Sequence, residues 1–210
     1  MEELPYEFMV IPFVEVEIRL GTITRNNFDS SVDKKYFEKI KEHLESGIWD
    51  STVNKNTIEH VKDNLKLITD ITTNSKETKS VLILKERVKT EDFQINSSPF
   101  DIRYSLNQEF KLNSQIKTFS KNDCLIRNKT RKSFINSDFR YDLTIVNENN
   151  KGVIKIKYEI EIELLVNKDT LTWKSCYIND FLEFKIYDLI NIVEPIPREK
   201  FKINLIKLKV

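Results

Sequence analysis

The segment YEIEIELL, residues 158–165, sets Glu159, Glu161 and Glu163 at alternate positions, and VEVEIRLG, residues 14–21, does the same with Glu15 and Glu17 ahead of Arg19. In an extended chain successive side chains leave on opposite faces, so each set of carboxylates forms one row and the apolar residues between them form the other. Carboxylates two residues apart on a strand lie roughly 6.5–7 Å from one another. They repel, so such a row is stable only in water or beside cations. Hard divalent cations favour carboxylate oxygens and keep water or phosphate as their remaining ligands. If the two segments pair, with strands roughly 4.8 Å apart, one ion could touch both rows.

Basic residues repeat with the same period. Lys85, Arg87 and Lys89 share one parity, as do Arg127, Lys129 and Arg131 in the run RNKTR. Two further stretches mix signs: Asp101, Arg103, Ser105, Asn107 and Glu109 in one, Arg140, Asp142 and Thr144 in the other, while Lys157 continues the row of the three glutamates. Period-two alternation most often describes an antiparallel sandwich with one face in the core and one in water. Such a water-facing surface mixes charges between neighbouring strands, whereas here triplets such as RNKTR and EIEIE keep one sign along a strand. Strands closed into a barrel would instead turn these rows into a lumen, with the apolar rows packed under helices outside. Carboxylates on one wall and Arg and Lys on the others suit a divalent cation and a polyphosphate, and phosphoryl transfer needs little beyond such positioning and charge stabilisation.

The elements that must position these rows can be read along the chain. Alternation at 14–24, 65–71, 80–90, 101–112, 124–135, 139–147 and 153–166 predicts seven strands, with 51–60 or the tail INLIKLKV as a further one. SSVDKKYFEKIKEHLES, residues 30–46, predicts an amphipathic helix burying Phe37, Ile40 and Leu44, and residues 178–193 predict a second, stopped by Pro195 and Pro197, with Phe181, Leu182, Phe184, Leu189 and Ile192 as its apolar bulk. SSPFD, NSD and NENNKG carry hairpin-turn chemistry, so the sheet is expected to be mainly antiparallel within one domain spanning residues 1–210.

Composition excludes several alternatives. With 34 basic and 33 acidic residues the net charge is +1, so no global field argues for nucleic acid or membrane, and any anionic partner must be held by local charge. Three glycines and no Walker or dinucleotide fingerprint argue against a glycine-rich phosphate loop. Cys124 and Cys176 lie far apart with no nearby histidine, which argues against zinc or a disulfide framework and for an intracellular setting. The acidic start lacks a sustained apolar run, so neither a signal peptide nor a membrane anchor is expected. His43 and His60 fall in polar stretches read as helix or loop, where both would be solvated.

Taken together, these segments resemble a known family. VEVEIRLGTIT and YEIEIELL look like the two metal motifs of the metal-dependent RNA 5′-triphosphatases of fungi, protozoa and large DNA viruses, members of the triphosphate tunnel metalloenzymes. Between them LKERV, DIRYSLNQE, IRNKTRKSF and RYDLTIV stand in the order of the family's other tunnel strands. The resemblance implies an eight-stranded antiparallel β-barrel with flanking helices and a Mg²⁺ or Mn²⁺ held directly by Glu15, Glu17 and Glu163. Glu161 and Asp142 would act through metal-bound water, and Glu159 would be a further ligand or a structural acid. Arg87, Arg103, Arg127, Lys129 and Arg131 would hold the triphosphate, joined by Arg19, Lys85 and Arg140, the last of which could equally pair with tunnel acids. Asp101 and Glu109 would orient wall bases. The implied reaction removes the γ-phosphate from triphosphate-ended RNA, in partnership with an RNA guanylyltransferase in cis or in trans, in the nucleus or, for a viral member, in a cytoplasmic viral factory or the virion. Hydrolysis of tripolyphosphate, thiamine triphosphate or nucleotides, or a silent triphosphate-binding subunit, are the other readings of the same lumen.

Overall fold

The structure, a computed structural model, describes residues 14–25, 27–72, 79–165 and 175–206, without the side chains of residues 14, 175, 176, 205 and 206. The expectations for the acidic start, for the thiol of Cys176 and for the last four residues of the tail lie outside these. The elements run β1 (Val14–Thr24), β2 (Asn27–Asp29), α1 (Lys34–Ser46), β3 (Ser51–Lys62), β4 (Leu65–Asp70), β5 (Ser80–Ile95), β6 (Asp101–Lys111), β7 (Leu125–Asn136), β8 (Phe139–Asn150), β9 (Val153–Leu164), α2 (Ser175–Val193) and β10 (Ile203–Ile206). Neighbouring strands pair antiparallel around a closed ring, β1-β6-β5-β4-β3-β7-β8-β9 and back to β1. The result is the expected eight-stranded barrel.

The eighth strand is β3, the polar 51–60 stretch; the tail contributes β10, which pairs with the end of β5 outside the ring. His60 therefore lies on a strand, half-buried, with Nδ1 unpartnered, and not in a solvated helix or loop. A second correction concerns β5, which is longer than its predicted 80–90. A bulge after Arg87 shifts the register, so that Arg87 lies opposite Asn107 but Lys89 lies opposite Leu106. One extra residue reverses the side-chain alternation. Lys89 leaves the row it was expected to share with Lys85 and Arg87, pairs with Glu91 at 3.1 Å, and Asp92 comes opposite Arg103 in its place.

The apolar rows point out of the barrel. Val16, Ile18 and Leu20 of β1, Ile102, Tyr104 and Leu106 of β6, Tyr141 and Leu143 of β8, and Ile160, Ile162 and Leu164 of β9 form one core beneath the helices. α1 buries Phe37, Ile40 and Leu44 as expected, and its first turn is capped by Asp33, whose side chain accepts from the Lys35 N–H at 2.8 Å. α2 buries Ile178, Leu182, Ile186, Leu189, Ile190 and Val193; Phe184, expected in this face, is 53% exposed. Two glycines are required by their surroundings. A Cβ on Gly21 would sit 2.2 Å from the Asp29 carbonyl oxygen, where β2 folds back on β1. Lys151 and Gly152, with φ of 50° and 90°, make the two-residue turn between β8 and β9.

Candidate active site in the barrel lumen

Strand register brings the two glutamate rows together. Glu17 lies directly opposite Glu163 and Arg19 opposite Glu161 across the β1–β9 pair, with Glu15 next along the same face. On the far side of β9, Arg140 faces Glu163 and Asp142 faces Glu161. The inward faces of β7 and β3 then carry Arg127, Lys129 and Arg131 with Glu59, and those of β5 and β6 carry Lys85, Arg87, Arg103 and Asn107. All the residues singled out from the sequence as metal or substrate ligands stand on this inner surface.

Each carboxylate has basic company. Glu15 accepts a hydrogen bond from Lys85, and Glu163 one from Arg140. Glu17, 5% exposed, lies 3.2 Å from Arg19 Nη2 and accepts from Asn107 Nδ2 at 3.4 Å. Glu161 sits between Arg19 Nε at 2.9 Å and Arg131 Nη2 at 3.0 Å. Asp142, fully buried, accepts from Arg131 Nη1 at 2.9 Å, Arg140 Nε at 3.0 Å and Ser133 Oγ at 2.6 Å. Glu159 accepts from Arg127 Nη2 at 2.6 Å. Of the two residues expected to orient wall bases, Glu109 lies 3.5 Å from Lys85, whereas Asp101 accepts from the Ile23 backbone N–H at 2.7 Å and serves the β1 backbone instead.

Burial sets the electrostatics, and partners decide its sign. Burial alone would raise the Glu161 carboxyl, but Arg19 and Arg131 hold it well below the usual carboxylate range. Glu163 behaves oppositely: burial pushes its carboxyl up to about 8, Arg140 offsets this only in part, and Glu15, Asp142 and Glu161 add to the rise. Burial brings Lys129 down to about 8 although Glu59 lies 3.0 Å away; for Glu59 burial acts upward, and Lys129 more than reverses it.

The donor set tests the implied metal. Among the described residues no three His, Cys, Asp or Glu side chains converge at ligating distance, because Lys85, Arg19 and Arg140 turn the carboxylates towards themselves. Yet Glu17 faces Glu163 across paired strands with Glu15 next along, and burial together with Glu15, Asp142 and Glu161 pushes the Glu163 carboxyl up although Arg140 adjoins it. Three adjoining carboxylates, one of them disfavoured as an anion by its like-charged neighbours, fit a hard divalent cation.

The sequence did not reveal three inward residues. Glu59 lies opposite Arg127 on β3, where no alternation announces a strand. Asp92 holds Arg103 through two hydrogen bonds, 2.6 Å to Nε and 2.9 Å to Nη2, and was hidden by the bulge. Lys66 lies on β4 beside Lys85 and Arg103, on a cavity of about 360 Å³ that also holds Glu17, Arg19 and Arg87.

With this geometry established, a family model described as the mRNA capping enzyme, beta chain (mRNA triphosphatase) matches residues 45–176, more than half of the chain. The chain belongs to this family. The match takes in β7, β8 and β9 of the lumen and leaves β1 to be placed by the fold alone. Among solved structures, this mRNA triphosphatase is similar to the S. pombe RNA triphosphatase Pct1, with a TM-score of 0.70 and 15% identity over 88% of each chain. The structure of Pct1 in complex with the Spt5 CTD gives 0.66 and 16%, over 88% of this chain and 90% of that one. The RNA triphosphatase domain of the trifunctional mimivirus capping enzyme gives 0.56 and 18%, over 90% and 95%. At such identities the likeness establishes the triphosphate tunnel fold. No curated protein sequence matches the chain significantly. Among the described residues no helix is long and apolar enough to cross a membrane.

Proposed function

We propose that this mRNA triphosphatase hydrolyses the bond between the β- and γ-phosphates at the 5′ end of RNA, consuming water and yielding a diphosphate end and inorganic phosphate, the first step of cap formation. The observation that carries this reading is the register Glu17 opposite Glu163, which sets an acid pair into a lumen whose other walls carry the RNKTR bases. Glu15, Glu17 and Glu163 would hold a divalent cation, Mg²⁺ or Mn²⁺, which when bound supplies Lewis-acid polarisation of a phosphoryl oxygen. Arg127, Lys129 and Arg131 aim fixed positive charge at the γ-phosphate oxygens, where negative charge redistributes in the transition state. Asp142 and Glu161 clamp Arg131 from two sides, so its guanidinium enters the reaction already oriented. Arg140, tied to Asp142 and Glu163, acts by positioning these acids.

The test is release of labelled phosphate from γ-labelled triphosphate RNA by the pure chain with Mg²⁺ or Mn²⁺. Absence of release with either ion would overturn the reading. The bases engage phosphates that free nucleotides share, so ATP hydrolysis with Mn²⁺ is an expected side activity. A far higher kcat/KM on inorganic tripolyphosphate would reassign the substrate. The diphosphate end it makes is the substrate class of a guanylyltransferase, the expected partner inside the cell.

Lys129 adds a pH dependence. Above pH about 8 its ammonium loses its proton and the wall loses a charge, so the KM for triphosphate RNA should climb, by up to roughly tenfold per pH unit. Lys129→Arg keeps the charge and should flatten that rise. Equal KM curves between pH 7 and 9.5 for both proteins would show that substrate does not depend on this charge.

A further inference from the structure

β9 reaches further than its neighbour β1 covers. β1 pairs with it only at residues 161–164, and from Thr22 onward pairs with β2 instead. Just beyond, the Tyr158 carbonyl accepts from the Val32 N–H at 2.9 Å, and the Tyr158 N–H donates to Ser31 Oγ at 3.3 Å. Past Tyr158 the edge is bare. Alternate residues of an antiparallel strand turn their backbone groups to the same side, so the N–H and C=O of Ile154 and Ile156 point away from β8, as those of Tyr158 do. Among the described residues these four groups have no partner. The side chains follow the same division. Phe37 of α1 packs on Tyr158, ring centroids 5.2 Å apart, whereas Ile154 and Ile156, next along that face, are 70% and 58% exposed. Lys155, on the other face, and Lys151, in the turn, are exposed and make no ion pair among the described residues; Lys157 pairs with Glu148 at 3.3 Å. A bare edge with apolar side chains is a template for another strand, and lysine is a residue that blunts it. Here lysine also selects. A second copy of the chain, paired antiparallel with Ile154 opposite Ile156, would set one Lys155 directly against the other, and like charges so placed repel. A strand with acidic residues at alternate positions meets the lysine with opposite charge and sets apolar residues against the isoleucines.

We propose that residues 153–157 of β9 form a docking edge for an extended segment of a partner protein in which acidic and apolar residues alternate. The segment adds one strand to the sheet, bonds the N–H and C=O of Ile154 and Ile156, covers both isoleucines and places a carboxylate beside Lys155. This surface stands apart from the acid rows, since Ile154 lies roughly 23 Å along the strand from Glu161, at about 3.3 Å per residue. Docking there leaves the lumen open and tethers the enzyme to another protein.

The experiment titrates the pure chain into a short labelled peptide of alternating Glu and Val, followed by fluorescence anisotropy and amide exchange. Its controls are a peptide of alternating Lys and Val, a peptide with the same Glu and Val in two blocks, and single-stranded RNA. The alternating acidic peptide should bind best, and should slow exchange at Ile154 and Ile156 more than at Lys155 and Lys157, whose amides already face β8. Lys155→Glu should weaken that peptide by about tenfold and favour the Lys–Val peptide instead. Ile154→Pro removes an N–H that makes no bond to β8, so it should keep the melting temperature and abolish binding. If the proline variant fails to fold, the charge reversal at exposed Lys155 decides alone. Equal binding of the block peptide, or no slowing at Ile154 and Ile156, overturns the proposal. So does dimerisation of wild type that Ile154→Pro removes while no peptide binds, which would give the edge to a second copy. RNA binding that Lys155→Glu loses and Ile154→Pro keeps, again without peptide binding, would reduce the edge to a charge patch and overturn it too.

Discussion

Glu163→Gln is expected to slow phosphate release from triphosphate-ended RNA by roughly 10³-fold, the scale on which removing a preorganised electrostatic group from an active site is felt. The change keeps the side chain's size and removes only the charge that faces Glu17 across the β1–β9 pair. It should also abolish the stabilisation that Mn²⁺ gives the wild-type chain. Binding to the folded state alone contributes about 2.7 kcal/mol at a hundredfold excess over Kd, which for a domain of this size is roughly 5–10 °C in Tm. Without metal, the variant should be at least as stable as wild type, because it relieves a buried carboxylate of Glu15, Asp142 and Glu161 as like-charged neighbours. Ile160→Ala is the contrasting control. It empties a fully buried position in the outer core, should cost roughly 2–5 kcal/mol, and should keep the Mn²⁺ shift. Full turnover and an intact Mn²⁺ shift in Glu163→Gln would show that the two rows do not share an ion.

Arg131→Met should remove activity and also cost stability, about 3–5 kcal/mol, the range for stripping one partner from a buried ion pair. Asp142 has no exposure, and Arg131 is the group that ties it to Glu161 on the next strand. Removing the guanidinium leaves both acids with fewer donors in a site water reaches poorly. Arg87→Gln makes the comparison, since Arg87 is exposed and its side chain makes no ion pair among the described residues; its melting temperature should move little while its KM rises. Urea denaturation of the three proteins separates the cases. A midpoint for Arg131→Met equal to that of wild type would mean that Asp142 and Glu161 do not depend on this residue for their burial.

Most of the lumen was legible because the barrel is polar inside and apolar outside, so every strand under the helices alternates cleanly. Parity sorted the acids of β1 and β9 and the bases of β7 into rows, the sign pattern and the family resemblance turned those rows into one lumen, and the strand register brings them together. Where the outer face is bare, that signal disappears. Ser51 to Lys55 of β3 are all exposed, so polar residues occupy both faces and neither the strand nor inward Glu59 stands out. Parity also fails beyond an irregularity that nothing in the residue types announces. The bulge after Arg87 sent Lys89 outward and brought Asp92 in, a change visible only once β5 is paired with β6. Lys66 escaped for a third reason, since a single lysine in a short strand carries no pattern.

The closure of the ring bears on how the chain reaches its active form. Most neighbours in the barrel are successive strands, which can pair early and locally. β3 and β7 are not successive, and β1 is remote from both of its neighbours, since residues 14–21 pair with 101–108 on one side and 16–19 with 161–164 on the other. Contacts so distant in sequence carry the largest loop-closure cost and slow folding. Before β1 inserts, β6 and β9 each present an unpaired edge open to other chains. The strand that seals those edges also brings Glu15 and Glu17, so an open sheet lacks half of its acid pair and catalytic competence arrives together with protection from aggregation.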